Sequence, residues 1–317
     1  MTDQEWLAER FQEHRPHLRT VAYRLLGSLS EADDALQEAW LRLSRSDVTG
    51  VENLGGWLTT VVARVSLNML RARRAKREKR LEAGIPDPIV TSQNATDPEL
   101  AALTADSVGL ALLVVLDTLA PAERLAFVLH DMFAVPFDEI ASITGRSSAA
   151  ARQLASRARR RVRDGAPVPD ADPARQWTVV EAFSAASREG DFEALVAVLD
   201  PDIVLREDDG TGRPGASAVV RGARAVAERA LSFARLALYA RAALVNGGPG
   251  AVVVLDGRPF AVLGFTVTRW QDRRHHRSVR SGAPQPTRSL GHHLMPAPCL
   301  SSPAGAQSLI HAGRAGR

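Results

Sequence analysis

Two all-α domains followed by an α+β domain is the fold class that the sequence predicts. Three observations carry it. Apolar residues recur at helical spacing through residues 5–82 and again through 107–163, β-type runs replace that spacing from about residue 203 to 268, and proline-containing breaks separate the blocks. The 317 residues suffice for two or three domains, each able to bury a core.

Phe11–Leu26 reads as one amphipathic helix closed by Gly27. Ser30-Glu31-Ala32-Asp33 then supplies a cap residue and acids where a second helix starts, and Ala35, Leu36, Ala39, Trp40 and Leu43 form its core face. Gly50–Gly56 is a break. From Trp57, Leu58, Val61, Val62, Val65 and Met69 make the stripe of a buried helix face. Residues 83–106 are a linker, with three prolines and no periodicity over 83–98. Helices resume up to Arg163, and Pro167, Pro169 and Pro173 mark a second linker. Beyond it, helices at about 174–188 and 191–199 precede β-type runs at Ile203–Arg206, Ala218–Arg221, Leu238–Val245, Ala251–Leu255 and Ala261–Thr268, with one helix near Ala223–Leu236. From 269 to 317 the chain is rich in Arg, His, Pro, Ser and Gly and reads as a disordered basic tail or an altered reading frame.

Composition excludes several classes. With 45% hydrophobic and 24% charged residues the chain is that of a folded protein. The longest apolar run, Val108–Leu116, is too short to span a bilayer, so no membrane partner is expected. The opening MTDQEWLAER has no signal-peptide pattern, and a cytoplasmic location is the expectation. A single cysteine, Cys299, excludes an internal disulfide framework and a cysteine-based zinc cluster; no metal and no cofactor are expected. Five of the eight histidines lie in the tail, where they read as composition rather than as a metal site.

The net charge of +4 hides alternating blocks. Residues 64–82 carry eight basic and two acidic side chains, residues 83–145 one and nine, and residues 146–163 seven and none. Two short basic blocks set in acidic sequence suit a polyphosphate partner, because clustered Arg releases counterions from a nucleic-acid backbone. The second block coincides with a helix-turn-helix pattern. Phe137–Thr144 is a short helix ended by Gly145, and a second helix runs from Ser147. Ala141, Gly145 and Ala151 are small where crossing helices approach, and Ile140, Leu154, Ala155, Ala158 and Val162 supply the core. Ser147, Ser148, Arg152 and Gln153 lie near the N-terminal end of that second helix, where base edges are reached. Ser156, Arg157, Arg159 and Arg160 lie where phosphates are gripped. In the first block, Arg64, Asn68 and Arg71 share the helix face opposite the apolar stripe, continued by Arg73 and Arg74; taken alone, this also suits a solvated helix face. The acidic helix leaves Asp34, Gln37, Glu38, Leu41 and Arg42 over after its core is assigned, a mixed surface better suited to docking a protein than DNA.

These residues resemble a known family. Leu36-Gln37-Glu38-Ala39-Trp40, Trp57-Leu58, the Arg64–Arg74 stripe, Ala120-Pro121-Ala122-Glu123-Arg124 and the helix-turn-helix, in that order, are similar to bacterial sigma factors of the extracytoplasmic-function group of the sigma-70 family. The resemblance covers residues 5–82 as sigma region 2 and 107–163 as region 4. It implies that core RNA polymerase, through its β′ and β subunits, and promoter DNA are the partners. It implies further that Asp34, Gln37 and Glu38, with Leu41 and Arg42, meet the clamp helix of β′. Arg64, Asn68, Arg71, Arg73 and Arg74 would then face the −10 element, and the Ser147–Arg160 helix the −35 element. Residues 170–268 are similar to a SnoaL-like cone domain, an extension found in the SigJ-like subgroup. There Gly84-Ile85-Pro86-Asp87-Pro88-Ile89 looks like the subgroup's linker motif, and Asp209-Gly210-Thr211-Gly212-Arg213 like its glycine-rich regulatory loop. The resemblance implies regulation of the sigma domains by the extension in the same chain, and a monomer outside the holoenzyme. The departure is after Thr268, where a final SnoaL strand is expected and different sequence follows, leaving the cone incomplete.

Two other readings stay open at this point. SnoaL relatives include enzymes, but no His or Cys lies between residues 131 and 274, so proton transfer would fall to acids such as Asp200, Asp202, Glu207, Asp208 and Asp209 or to Tyr239. A pocket that binds a small molecule, or that packs against the sigma domains, fits better than catalysis. A polymerase-independent regulator with the same helix-turn-helix would leave the acidic helix and the first basic block without a role.

Overall fold

The structure, a computed structural model, describes residues 3–46, 51–77, 85–91, 109–166, 169–208, 217–268 and 306–310. Helices α1 (Asp3–Leu26), α2 (Leu29–Leu43) and α3 (Leu54–Arg77) form the first domain. The Ser28 side chain caps α2 by accepting the Glu31 N–H. Between α1 and α2, Gly27 adopts φ 73°, and a Cβ there would lie 3.2 Å from Arg124 and 3.3 Å from Pro86, so the turn requires glycine for both its backbone and its neighbours. The expected stripes are the buried ones. Ala35, Leu36, Ala39 and Leu43 of α2 and Leu58, Val61, Val62 and Val65 of α3 are buried, with Trp40 and Met69 packed partly buried against them.

The second helical domain comprises α4 (Leu110–Asp117), α5 (Pro121–Phe127), a π-helical turn (Val128–Met132), α6 (Phe137–Thr144) and α7 (Ser148–Gly165). Pro121 occupies the first turn of α5, where its missing N–H costs nothing. Gly145, at φ 68°, makes the left-handed turn between α6 and α7, and Ser147 caps α7 through the Ala150 N–H. One contiguous core joins both domains, with Leu25 of α1, Leu58 of α3, Leu113 of α4, Leu129 of the π-turn, Ile140 of α6 and Leu154 of α7 among its members. Arg24 is buried at this joint with its guanidinium 5.0 Å from the centre of the Phe133 ring.

The C-terminal domain has its own core, built by Val179, Phe183, Leu195, Ile203, Leu205, Val226, Phe265 and Val267. Helices α8 (Pro173–Glu189), α9 (Phe192–Val198), α10 (Ala223–Leu231) and α11 (Ala234–Ala237) accompany a sheet. Its strands are β1 (Val90–Thr91), β2 (Val204–Asp208), β3 (Ser217–Arg221), β4 (Ala240–Val245), β5 (Gly248–Leu255), β6 (Arg258–Phe265) and β7 (Ala306–Ile310), in the order β1-β4-β5-β6-β7-β2-β3. All neighbours are antiparallel except β6 and β7.

Two expectations are corrected here. The segment 269–317 is not without structure throughout: Ala306–Ile310 enters the sheet as β7, pairing in parallel with β6 and antiparallel with β2. A strand between those two neighbours satisfies the backbone donors and acceptors of both, and its five residues carry too little alternation to be seen in the sequence. The remainder of that segment lies outside the described residues. The linker, too, is partly a strand: Val90 pairs with Val245 and Thr91 with Leu244, adding the chain between the two helical domains to the C-terminal sheet.

The same stretch is pinned to the first domain. Asp87 N donates to Gly27 O at 2.8 Å, and Tyr23 Oη donates to Asp87 O at 2.6 Å. Asn246, at φ 51° in the β4–β5 turn, donates to Tyr23 Oη at 2.7 Å, and its Oδ1 accepts the Ile89 N–H at 3.0 Å. Burial pushes the Tyr23 hydroxyl above its ordinary pKa, opposed by the Asn246 hydrogen bond, so it stays neutral. Ile85 N donates to Asp208 at 3.1 Å, immediately before the glycine-rich loop.

Candidate nucleic-acid interface

Three helices present the polar side chains singled out in the sequence. On α3, Arg64, Asn68, Arg71 and Arg74 are exposed, and the first three fall at i, i+4 and i+7 on the side away from the buried stripe. Among the described residues no acidic side chain pairs with Arg64 or Arg71, so their donors face solvent. Arg73 is not on this strip. It turns inward and is partly buried, donating to Leu26 O at 3.0 Å, in an ion pair with Glu31 and 3.7 Å from Asp117. Asp117 also accepts from Arg124 at 3.0 Å. Arg73 thus bridges α3 to α2 and α4. The one-residue step from Arg74 rotates it about 100° around the helix, toward the core.

On α7, Ala151, Leu154, Ala155 and Ala158 are buried, and the exposed face holds Ser147, Arg152, Gln153, Ser156, Arg157, Arg159 and Arg160, with Ser148 half-buried. Six of the expected residues, Arg152 to Arg160, therefore lie on the exposed side, while Ser147 caps the helix and Ser148 is half-buried at its start. Their surroundings differ in ways the sequence did not reveal. Arg157 Nε donates to Glu123 Oε1 at 2.9 Å and Arg161 Nη1 to Glu123 Oε2 at 3.0 Å. Arg159 Nε donates to Asp131 at 2.5 Å. Ser148 hydrogen-bonds Asp138, and the Arg152 guanidinium stacks 5.5 Å from the centre of the Phe137 ring, which itself stacks on His130 at 3.8 Å. Gln153, Ser156 and Arg160, in the middle of the face, have no ion-pair partner among the described residues.

On α2, Asp34, Gln37, Leu41 and Arg42 are exposed and Glu38 is half-buried, with Arg42 Nε donating to Glu38 at 2.9 Å. Asp34 and Gln37 border a cavity of about 400 Å³ between α1 and α2, whose floor includes Phe11, Leu36 and Trp40. A charged rim over an apolar floor is the composition of a protein-docking surface. The glycine-rich loop, Asp209, Gly210, Thr211, Gly212 and Arg213, lies outside the described residues.

Sequence reasoning missed Glu123, Asp131, Phe137 and Arg161. The only local signal was the i, i+4 spacing of Arg157 and Arg161, since their shared partner is 34 and 38 residues away. Among the described residues no cluster of His, Cys, Asp or Glu could hold a metal ion, and no helix is long and apolar enough to cross a membrane.

Comparison with known proteins places the chain in a family. Residues 10–76 match Sigma-70 region 2 and residues 109–162 match Sigma-70, region 4. The chain is 43% identical over 248 residues to the ECF RNA polymerase sigma factor SigJ of Mycobacterium tuberculosis (strain ATCC 25618 / H37Rv), which spans 76% of this chain and 79% of that one. It is 30% identical over 290 residues to the probable ECF RNA polymerase sigma factor SigI of Mycobacterium tuberculosis (strain CDC 1551 / Oshkosh), covering 91% and 98% of the two chains. The structure is similar to the crystal structure of the M. tuberculosis extracytoplasmic function sigma factor SigJ, with a TM-score of 0.64, 34% identity and 96% of each chain covered.

Proposed function

Because the chain belongs to the extracytoplasmic-function sigma factors of the sigma-70 family, and so binds core RNA polymerase and directs it to promoter DNA, we propose how its surfaces divide that work. The α3 strip of Arg64, Asn68, Arg71 and Arg74 meets the −10 element. The exposed face of α7 meets the −35 element in the major groove, and Asp34, Gln37, Glu38, Leu41 and Arg42 dock on β′. Region 4 meets the β subunit, and the free protein is a monomer. The observation that carries this reading is that two polar helix faces, one per helical domain, both point away from a single shared core.

The C-terminal domain is read as a regulator acting in cis. The −10 and −35 elements lie roughly 25 base pairs apart, about 85 Å at ~3.4 Å each. The 31 residues between Arg77 and Gly109 reach about 105 Å when extended. With Ile85–Thr91 held by Tyr23, Asn246 and β4, the 17 residues from 92 to 108 could span at most about 58 Å. Holding the linker thus favours closed helical domains, and releasing it favours the spread arrangement that a promoter requires. A small-molecule ligand of the C-terminal domain would act by shifting that balance.

The test is in vitro transcription with core RNA polymerase on a promoter library, comparing the full chain with chains ending at Ala166 and at Gly222. Promoter-specific transcripts that differ in yield between the three support regulation in cis, and equal yields reject it. Glu38→Arg is expected to weaken association with core polymerase at least tenfold while DNA binding by α7 persists. Unchanged association would remove α2 from the docking surface.

A further inference from the structure

The arginines of α7 are not equivalent. Viewed down the helix at 100° per residue, Gln153, Ser156 and Arg160 form the centre of the exposed face, with Arg157 and Arg161 on one flank and Arg159 on the other. Each flank is held from behind by an acid. Glu123, whose side chain is 8% exposed, gives one oxygen to Arg157 and the other to Arg161. Asp131, 23% exposed, holds Arg159. The arginines themselves are half-exposed, 47% for Arg157 and 57% for Arg161, so each spends one N–H on Glu123 and turns its remaining donors outward.

Resting on the reading that α7 meets DNA, we propose that Glu123 is a positioning residue for promoter recognition. It holds Arg157 and Arg161 as a paired clamp on the phosphates along one wall of the major groove, so that Gln153, Ser156 and Arg160 enter the groove in a fixed register. Phosphate contacts carry no sequence information themselves but set the register from which bases are read. An unanchored arginine would still attract phosphate, but from many rotamers; ordering it beforehand removes that entropy cost from binding. Glu123 is suited to the task because α5 packs against α7 in the region 4 core, so its carboxylate is fixed by the fold rather than by the ligand. The role therefore shows in discrimination more than in bulk attraction, since removing a negative charge from beneath two cations strengthens non-specific binding.

The experiment uses holoenzyme assembled from core RNA polymerase and the full chain, on a promoter fragment that the wild type selects from a library and on the same fragment with its upstream element scrambled. Glu123→Gln keeps the side chain's size and one acceptor. It is expected to lower the ratio of cognate to scrambled affinity about three- to tenfold, without lowering scrambled binding. The double variant Arg157→Ala/Arg161→Ala should lower the ratio as well, and adding Glu123→Gln to it should cause no further loss, because the residues act as a unit. An unchanged ratio in Glu123→Gln overturns the proposal. So does an equal further loss in the Arg157→Ala/Arg161→Ala background, which would mark Glu123 as a merely structural acid. If the double variant binds both fragments like the wild type, the assignment of this face to DNA fails first, and the proposal with it.

Discussion

The two basic helices of this protein treat their arginines in opposite ways. On α3, Arg64 and Arg71 stand on an exposed strip with no acidic partner among the described residues, whereas on α7 three of the arginines are tied to acids of the preceding helices. Free cations supply attraction wherever a phosphate backbone comes near. Tethered cations sacrifice part of that attraction for defined geometry. Under the proposed assignment, the −10 side relies on the unpaired Arg64 and Arg71 and the −35 side on positioned arginines. Between the two lies the joint of Arg73, Asp117 and Arg124, where opposite charges serve packing rather than DNA.

The largest effect is expected at that joint. Arg124 is 1% exposed and paired with the largely buried Asp117, so Arg124→Ala leaves that carboxylate with Arg73 at 3.7 Å and should destabilise the helical domains by about 3 kcal/mol in denaturant unfolding. A loss below about 1 kcal/mol would show that the Arg124–Asp117 pair contributes little to holding α5 on α4. Next come Arg64 and Arg71. Arg64→Ala with Arg71→Ala should reduce promoter-specific transcription roughly 10- to 100-fold and flatten the salt dependence of binding by about two contacts' worth, a slope near 0.9 for each. An unaltered slope would mean that these cations touch no phosphate. Arg152→Ala, which removes a guanidinium stacked on Phe137, should cost about 1–3 kcal/mol on the cognate upstream element and little on scrambled DNA. Uniform weakening on both fragments would instead place Arg152 among the phosphate contacts.

The smallest effect concerns pH. His17 lies in the groove between the two helical domains with His14, Phe133 and Glu139, its ring edge-on to Phe133 at 5.5 Å. Burial above all, then the nearby His14 and Arg24, lowers its pKa from the ordinary 6.5. The folded state therefore binds its proton less readily than the unfolded chain does. Its contribution to stability is full above pH 6.5 and is lost as the pH falls through the lower folded-state value. His17→Gln should flatten the melting temperature against pH below 6.5, and a slope equal to that of the wild type would assign the acid sensitivity to other groups.

Much of the site was legible because it depends on one helix at a time. A period of 3.6 residues places Arg64, Asn68 and Arg71 together and opposite the buried Val62 and Ser66, whatever the rest of the chain does. The helix-turn-helix was legible for the same reason, through small residues at the crossing and Gly145 in the left-handed turn. Arg73 leaves the expected strip because one helical step separates an exposed side chain from one facing a neighbouring domain, and the composition of the stripe is the same on both. The strands β1 and β7 were missed because two and five residues carry no usable alternation and owe their conformation to the edges they pair with.

By itself, then, the sequence determined the helical faces, the charge blocks, the order of domains and the family, all of which follow from local periodicity and motif order. Only the tertiary structure decided which arginines of α7 are held by acids, that the two helical domains share one core, and that Val90 and Thr91 of the linker pair with the C-terminal sheet. The physical reason is the range of the interactions. Glu123 meets Arg157 and Arg161 across 34 and 38 residues, and Asn246 meets Tyr23 across 223. Nothing in the neighbourhood of either residue specifies a partner that far along the chain; packing alone brings them within hydrogen-bonding distance.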